Sequence, residues 1–180
     1  MLRRVLLAVT FAVCVIYADI DLSAQNFATY RKGNHNLSFG FVHDWEKGNG
    51  ANLSWDFGFG DMFSFGLGAD YTQKTFMDWQ YRFLTPNTRF AFHLFSIPPL
   101  RQMQSLSRLD LYFMTKAGIE ITIWDYDEIG GKTDFMLSPA MLGWRFYFGD
   151  NMYLWTEFDF NGSFSEFDVG SLSMGLGFRF

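Results

Sequence analysis

The sequence predicts an all-β fold, an eight-stranded antiparallel transmembrane up-and-down β-barrel, on three observations. A short apolar leader opens the chain, no later apolar run is long enough to cross a bilayer as a helix, and the remainder alternates with a period of two. Aromatic residues make up 21% of the 180, with 23 Phe against 4 Pro, and only 18% are charged. A single soluble core of this size cannot hide so many rings, so a large apolar surface must face another medium. The alternative is a Phe-rich soluble sandwich.

The leader comes first. Arg3 and Arg4 precede an almost wholly apolar stretch from Val5 to Ala18, the pattern of a secretory signal peptide. Cleavage can follow Ala18 or Ala24, and the run Leu22-Ser23-Ala24-Gln25, with its small residue before the cut, favours Ala24. Residues 1–24 are therefore expected to be removed, leaving 25–34 as a periplasmic N-terminal segment and 35–180 as the barrel. Cys14, the sole cysteine, lies in the leader behind Val13, where lipidation needs a small residue. The mature chain then holds no thiol, which excludes disulfides and thiolate metal sites. A net charge of −5 with no basic stripe excludes nucleic acid as a partner.

The strands follow in order. Leu37, Phe39 and Phe41 alternate with Ser38, Gly40 and Val42; Leu53, Trp55, Phe57 and Phe59 with Ser54, Asp56, Gly58 and Gly60. Phe63, Phe65, Leu67, Ala69 and Tyr71 alternate with Ser64, Gly66, Gly68, Asp70 and Thr72. Later, Leu109, Leu111, Phe113, Ala117, Ile119, Ile121 and Ile123 form one face, with Asp110, Tyr112, Lys116, Gly118 and Glu120 on the other. Leu142, Trp144 and Phe146 oppose Gly143, Arg145 and Tyr147, and Leu154 and Phe158 oppose Trp155, Glu157 and Asp159. Leu172, Met174, Leu176, Phe178 and Phe180 oppose Ser171, Ser173, Gly175, Gly177 and Arg179. Bulky residues share one face and small or charged ones the other, which suits a lipid exterior and a narrow polar interior.

The turns set the count. FGFGDMFSF at 57–65 and FYFGDNMYL at 146–154 share one pattern. A three-residue loop at Gly60-Asp61-Met62 pairs Phe59 with Phe63, and one at Gly149-Asp150-Asn151 pairs Phe148 with Met152; a one-residue slip would flip every side chain. Both turns are expected at the periplasmic end. Strands are placed near 35–45, 50–60, 62–74, 88–103, 108–123, 134–148, 151–161 and 170–180, with 75–87 as the outer extension of a long loop hairpin. Even parity favours eight; ten strands is the main alternative.

Here the chain resembles the small outer-membrane barrels of the "outer membrane protein beta-barrel domain" or porin family, OmpX-like in size. The resemblance rests on GLGADYTQK at 66–74, FSIPPL at 95–100, GWRFYFGDNMYLWTEF at 143–158 and the terminal GLGFRF, and spans roughly 35–180. It implies outer-membrane localisation in a Gram-negative-type envelope. It also implies lipid and lipopolysaccharide as partners, and a C-terminal assembly signal (Leu172, Met174, Leu176, Phe178 and Phe180) read by the barrel-insertion machinery.

The inward charges Asp56, Asp70, Asp110, Lys116, Glu120, Arg145, Glu157, Asp159 and Arg179 are expected to form a lumen network, because buried charges must be paired. In this register Arg145 faces Trp155 and lies within diagonal reach of Glu157. No catalytic, cofactor-binding or metal-binding residues are expected, and no cofactor. Of His35, His43 and His93, only His93 has a near serine, Ser96, and a spacing of three puts the two on opposite strand faces. A triad assembled from distant strands stays open. Loop carboxylates Asp78, Asp125, Asp127, Glu128, Glu166 and Asp168 read as solvated loops, with divalent ions shared with lipopolysaccharide as the alternative. The expected function is a non-enzymatic barrel with a filled lumen, serving envelope structure or surface binding and adhesion through its loops. The alternatives are a narrow channel and a lipid A acyltransferase or deacylase.

Overall fold

Eight strands close on themselves in chain order: β1 (His35–Asp44), β2 (Gly48–Gly58), β3 (Phe63–Phe76), β4 (Trp79–His93), β5 (Leu109–Trp124), β6 (Gly130–Tyr147), β7 (Met152–Asn161) and β8 (Asp168–Arg179). The computed structural model describes residues 32–76, 79–97, 100, 108–124, 130–148, 151–161 and 168–180. The leader 1–24, Gly149 and Asp150 of the second Gly-Asp turn, and the loop carboxylates at 78, 125, 127, 128 and 166 lie outside the described residues. All neighbours are antiparallel, and β8 pairs with β1, so no sheet edge is left open. His35 and Phe180 complete the closure, each donating its N–H to the other's carbonyl at 3.2 and 2.9 Å. Gly33, at φ 87°, clips the preceding residues to β2 by donating to the Gly58 carbonyl at 2.7 Å.

The two aromatic turns carry the expected pairing. The β2–β3 register runs to Gly58↔Ser64, so Phe59 and Phe63 come next, with rings stacked 6.1 Å apart. Phe148 donates to the Met152 carbonyl at 3.0 Å beyond the Tyr147↔Tyr153 pair. The Phe59–Phe63 pair and the Phe148–Met152 pair both lie at the end that carries His35 and Phe180.

The fourth strand departs from the sequence reading. It runs over 79–93 rather than 88–103, and the hairpin with β3 is paired up to Phe76↔Trp79. Residues 79–87 are thus the upper half of β4, neither a ninth strand nor a loop extension. Beyond His93 the chain turns through a single 3-10 turn at Leu94–Ser96, where Ile97 donates to the Leu94 carbonyl. The strand stops there because β3, its partner, begins at Phe63 opposite Phe92.

β6 changes phase midway. Met114 pairs with Met141 but Lys116 with Ser138, so Pro139 and Ala140 together oppose Thr115. A proline lacks the ladder N–H and suits such a bulge. Both Pro139 and Ala140 face outward, which turns Ser138 inward on one side and Met141 inward on the other. A second shift between Asp159 and Phe160 accommodates Gly170 in β8.

The molecule is inside out relative to a water-soluble barrel. Phe39, Phe41, Leu53, Phe65, Leu67, Phe90, Phe113, Ile119, Leu137 and Leu154 are all exposed, while buried Asp, Glu, Lys, Arg, Asn and Ser fill the interior. Inward glycines leave room for rings. A Cβ at Gly143 would stand 2.4 Å from the Tyr112 ring, and one at Gly177 would stand 2.1 Å from that of Tyr153.

Candidate functional site

The interior is a stack of polar layers, each supplied by alternate residues of several strands. Nearest the His35–Phe180 end, Ser64 (β3), His93 (β4) and Asp110 (β5) sit side by side and fully buried. His93 Nδ1 lies 2.9 Å from both Asp110 carboxylate oxygens, and its Nε2 lies 2.9 Å from the Ser64 hydroxyl. A carboxylate only accepts, so the proton faces Asp110 from Nδ1. This has the connectivity of an acyl-transfer triad. Ser64 is 1% exposed, however, so a substrate carbonyl has no approach to its oxygen; the trio laces three strands together. The sequence names Asp110 as an inward charge and sets His93 and Ser96 on opposite strand faces, but it does not reveal Ser64 or that both flank His93, because neighbours across a sheet cannot be read from spacing along one strand.

Above it runs a chain of alternating charge. Arg145 (β6) pairs with Asp56 (β2) and lies 3.8 Å from Asp110, with its guanidinium 4.7 Å from the centre of the Tyr112 ring. Arg89 (β4) pairs with Glu157 (β7), and its Nε lies 3.6 Å from Asp56. The Tyr112 hydroxyl donates to Glu157 at 2.7 Å. Arg145 does face Trp155 across the β6–β7 ladder, but Glu157 is engaged by Arg89 and Arg145 reaches across the lumen to Asp56. The diagonal contact expected from the register is superseded by an opposed strand. Arg89 is the member that sequence reading missed. Its signal was Thr85, Asn87, Arg89, Ala91 and His93 on one face, obscured by Pro86 and Thr88 on the outer face.

The third layer holds Lys116 (β5), which donates to Asp70 (β3) at 3.0 Å and lies 3.8 Å from Asp159 (β7). Asn52 and Asn87 donate their amide N–H groups to Asp70, and the Ser138 hydroxyl donates to Asp159 at 2.7 Å. At the far mouth Glu120 pairs with Lys47 of the β1–β2 turn. Arg179 lies over the Tyr147 ring at 4.8 Å, back at the first end. All nine sequence-derived charges therefore point inward. Among the described residues no group of three or more His, Cys, Asp or Glu is placed to hold a metal ion.

No protein-family model and no curated protein matches this sequence. Solved structures do. The N-terminal β-barrel domain of Pseudomonas aeruginosa OprF aligns with TM-score 0.57 at 13% identity, covering 84% of this chain and 100% of that one. Ail, the attachment invasion locus protein of Yersinia pestis, in complex with the heparin analogue sucrose octasulfate, aligns with TM-score 0.55 at 15% identity, covering 83% and 99%. The outer membrane protein OprG from Pseudomonas aeruginosa gives TM-score 0.53 at 11% identity, covering 84% and 98%. The fold is that of the small outer-membrane barrels. At these identities the likeness extends to the fold alone, which in this chain is eight strands closed in order.

Proposed function

We propose that this chain is an integral outer-membrane barrel without enzymatic activity, which serves the envelope as a rigid, lumen-filled platform for surface loops. The observation that carries the reading is the inverted burial. Leu53, Leu67, Phe113 and Leu137 are at least half exposed, whereas Asp56, Arg89, Asp110 and Arg145 are at most 3% exposed. In water that distribution is unfavourable on both faces; in a bilayer it is favourable on both. The closed ladder leaves no unpaired strand to meet hydrocarbon. Residues 1–24 act as the export signal, and the Phe180 strand, with Leu172, Met174, Leu176 and Phe178, is the part read by the insertion machinery. The Gly60-Asp61 and Gly149-Asp150-Asn151 turns then face the periplasm, and the β1–β2 turn faces the cell exterior with lipid and lipopolysaccharide around the wall.

The stacked charges favour a plug over a pore, since Arg89 and Arg145 span the interior between opposed strands. Purified barrel in a planar bilayer is expected to show no steady unitary current; regular open-channel steps would replace the plug with a conducting path. On gels the folded barrel should migrate differently before and after boiling, and a chain soluble without detergent would overturn the membrane assignment.

A further inference from the structure

The apolar outer wall of the barrel is not of even height. Six strands carry outward apolar or aromatic runs of nine residues: 37–45 in β1, 51–59 in β2, 63–71 in β3, 84–92 in β4, 152–160 in β7 and 172–180 in β8. In β5 the run is 109–123, fifteen residues, and in β6 it reaches from Phe146 up to Phe135. Only His43, Thr88, Thr115 and Thr156 interrupt these runs. Thr88 and Thr115 turn their hydroxyls to the carbonyls of Ala117 and Pro139 at 3.1 Å. At a rise of about 3.3 Å per residue and a strand tilt of about 40°, nine residues stand about 20 Å tall and fifteen about 35 Å. The apolar band of an outer-membrane barrel is about 25 Å tall.

The upper part of the β5 run stands where its neighbours have turned polar. Ala51, Tyr71, Leu84 and Ile121 share one row of the ladder, and all four are outward. On the next row up stand Asn49, Gln73 and Arg82, followed by Ile123. Rows climb around a tilted barrel. The row through Leu37 meets β6 at Phe148 by way of β8 and β7, but at Leu137 by way of β2 to β5. Rows therefore rise from β1 toward β6, and Ile123 tops the high side of the wall. Beside it Ile119 pairs with Phe135, and Ala117 with Leu137. Ile123 is 40% exposed, Ile119 50% and Leu137 54%, and Phe135, at 74%, is the most exposed large apolar side chain among the described residues.

These four residues form a ledge continuous with the wall below it, through Ala117 and Thr115 to Phe113, with no charged residue between. A second copy or a soluble protein would need about 800 Å² from this chain. A whole aromatic side chain brings about 150–250 Å², so four partly exposed ones fall well short. Lipid needs no such area, and a wall taller than the local hydrocarbon is met by thickening of the bilayer, a shorter one by thinning.

We propose that Ile119, Ile123, Phe135 and Leu137 are a lipid-binding ledge that gathers the longer acyl chains around the barrel, so that hydrocarbon stands higher against β5 and β6 than against β1 and β2. The ledge rests on the reading of the wall as lipid-facing. The test uses bimane on single cysteines at 123, 135, 73 and 53, with Cys14, the sole native cysteine, replaced by serine. Each folded barrel, checked by gel migration before and after boiling, is placed in dioleoyl or dilauroyl phosphatidylcholine vesicles. Quenching by nitroxide-bearing lipid is compared with quenching by iodide. In dioleoyl vesicles the lipid quencher should exceed iodide at least twofold at 123 and 135, as at the mid-wall position 53, while iodide dominates at 73. In the shorter dilauroyl chains the ratio at 123 and 135 should fall at least twofold and that at 53 should hold. Iodide quenching at 123 and 135 equal to that at 73, with 53 still quenched by lipid, would place the ledge in water and overturn the proposal while leaving the wall in the membrane. Shielding of 123 and 135 from both quenchers would show a protein covering the ledge, and equal ratios in the two lipids would show no preference for longer chains; either overturns it. Iodide dominance at 53 would instead overturn the membrane reading itself.

Discussion

Replacing Arg89 by methionine removes the cation that joins two arms of the lumen network while keeping a side chain of similar length. Arg89 is 3% exposed and touches both Glu157 and Asp56. In its absence Asp56 keeps Arg145, but Glu157, 4% exposed, is left with the Tyr112 hydroxyl at 2.7 Å. Breaking a buried pair from one side leaves an uncompensated charge and costs about 3–5 kcal/mol. The surviving Asp56–Arg145 pair places R89M near the lower figure, about 3 kcal/mol. Adding E157Q removes the stranded charge and should restore about 0.5–3 kcal/mol, the usual range for coupled neighbours. Urea unfolding of the barrel in lipid vesicles reads this directly through tryptophan fluorescence, since Trp155 is 2% exposed inside the lumen. A loss below about 1 kcal/mol for R89M, or a double variant as unstable as the two single losses added together, would refute the ion-pair account of the interior.

The remaining predictions concern packing and assembly. G177A puts a Cβ 2.1 Å from the Tyr153 ring, which must move and strain its 2.7 Å bond to Ser38, so a loss of about 1–3 kcal/mol is expected from overpacking. G60A, whose Cβ would meet its nearest neighbour Phe63 at 3.9 Å, should unfold within about 0.5 kcal/mol of wild type. F180A keeps the backbone bonds to His35 and should refold normally in detergent. In cells it should lower the fraction of chain that reaches the membrane as the folded form, and an unchanged fraction would remove the assembly role of that residue.

The regular strands were the legible part of the fold. In β5, β7 and β8 the outward residues are apolar apart from Thr115 and Thr156, and the inward ones are mostly small, aromatic or charged, so each strand's own pattern shows which face it turns to the lumen. β4 was not legible in that way. Pro86 and Thr88 sit on its outer face, and Leu94 and Phe95 continue the apolar run past its end, so its boundaries are set by β3 beside it. The phase change at Pro139–Ala140 likewise depends on opposition to Thr115, a residue of another strand. The site divides along the same line. Which charges point inward follows from alternation within a strand. Which partner each one takes (Arg145 with Asp56, His93 with Ser64 and Asp110) follows from barrel closure, which brings β2 opposite β6 and sets β3, β4 and β5 side by side.

The central claim is that the wall faces lipid and the lumen faces inward, residue by residue. Spin labels at single cysteines along β2, in a background with Cys14, the sole native cysteine, replaced by serine, test it most directly. Leu53 and Trp55 are 55% and 36% exposed, while Asn52 and Ser54 are 6% and 2%. In lipid vesicles the labels at 53 and 55 should relax with membrane-dissolved oxygen and ignore a water-soluble nickel chelate, and those at 52 and 54 should be immobilised and reached by neither. Strong chelate relaxation at 53 and 55, equal to that of a label on the Trp45–Lys47 turn, would show that the apolar wall meets water and contradict the account.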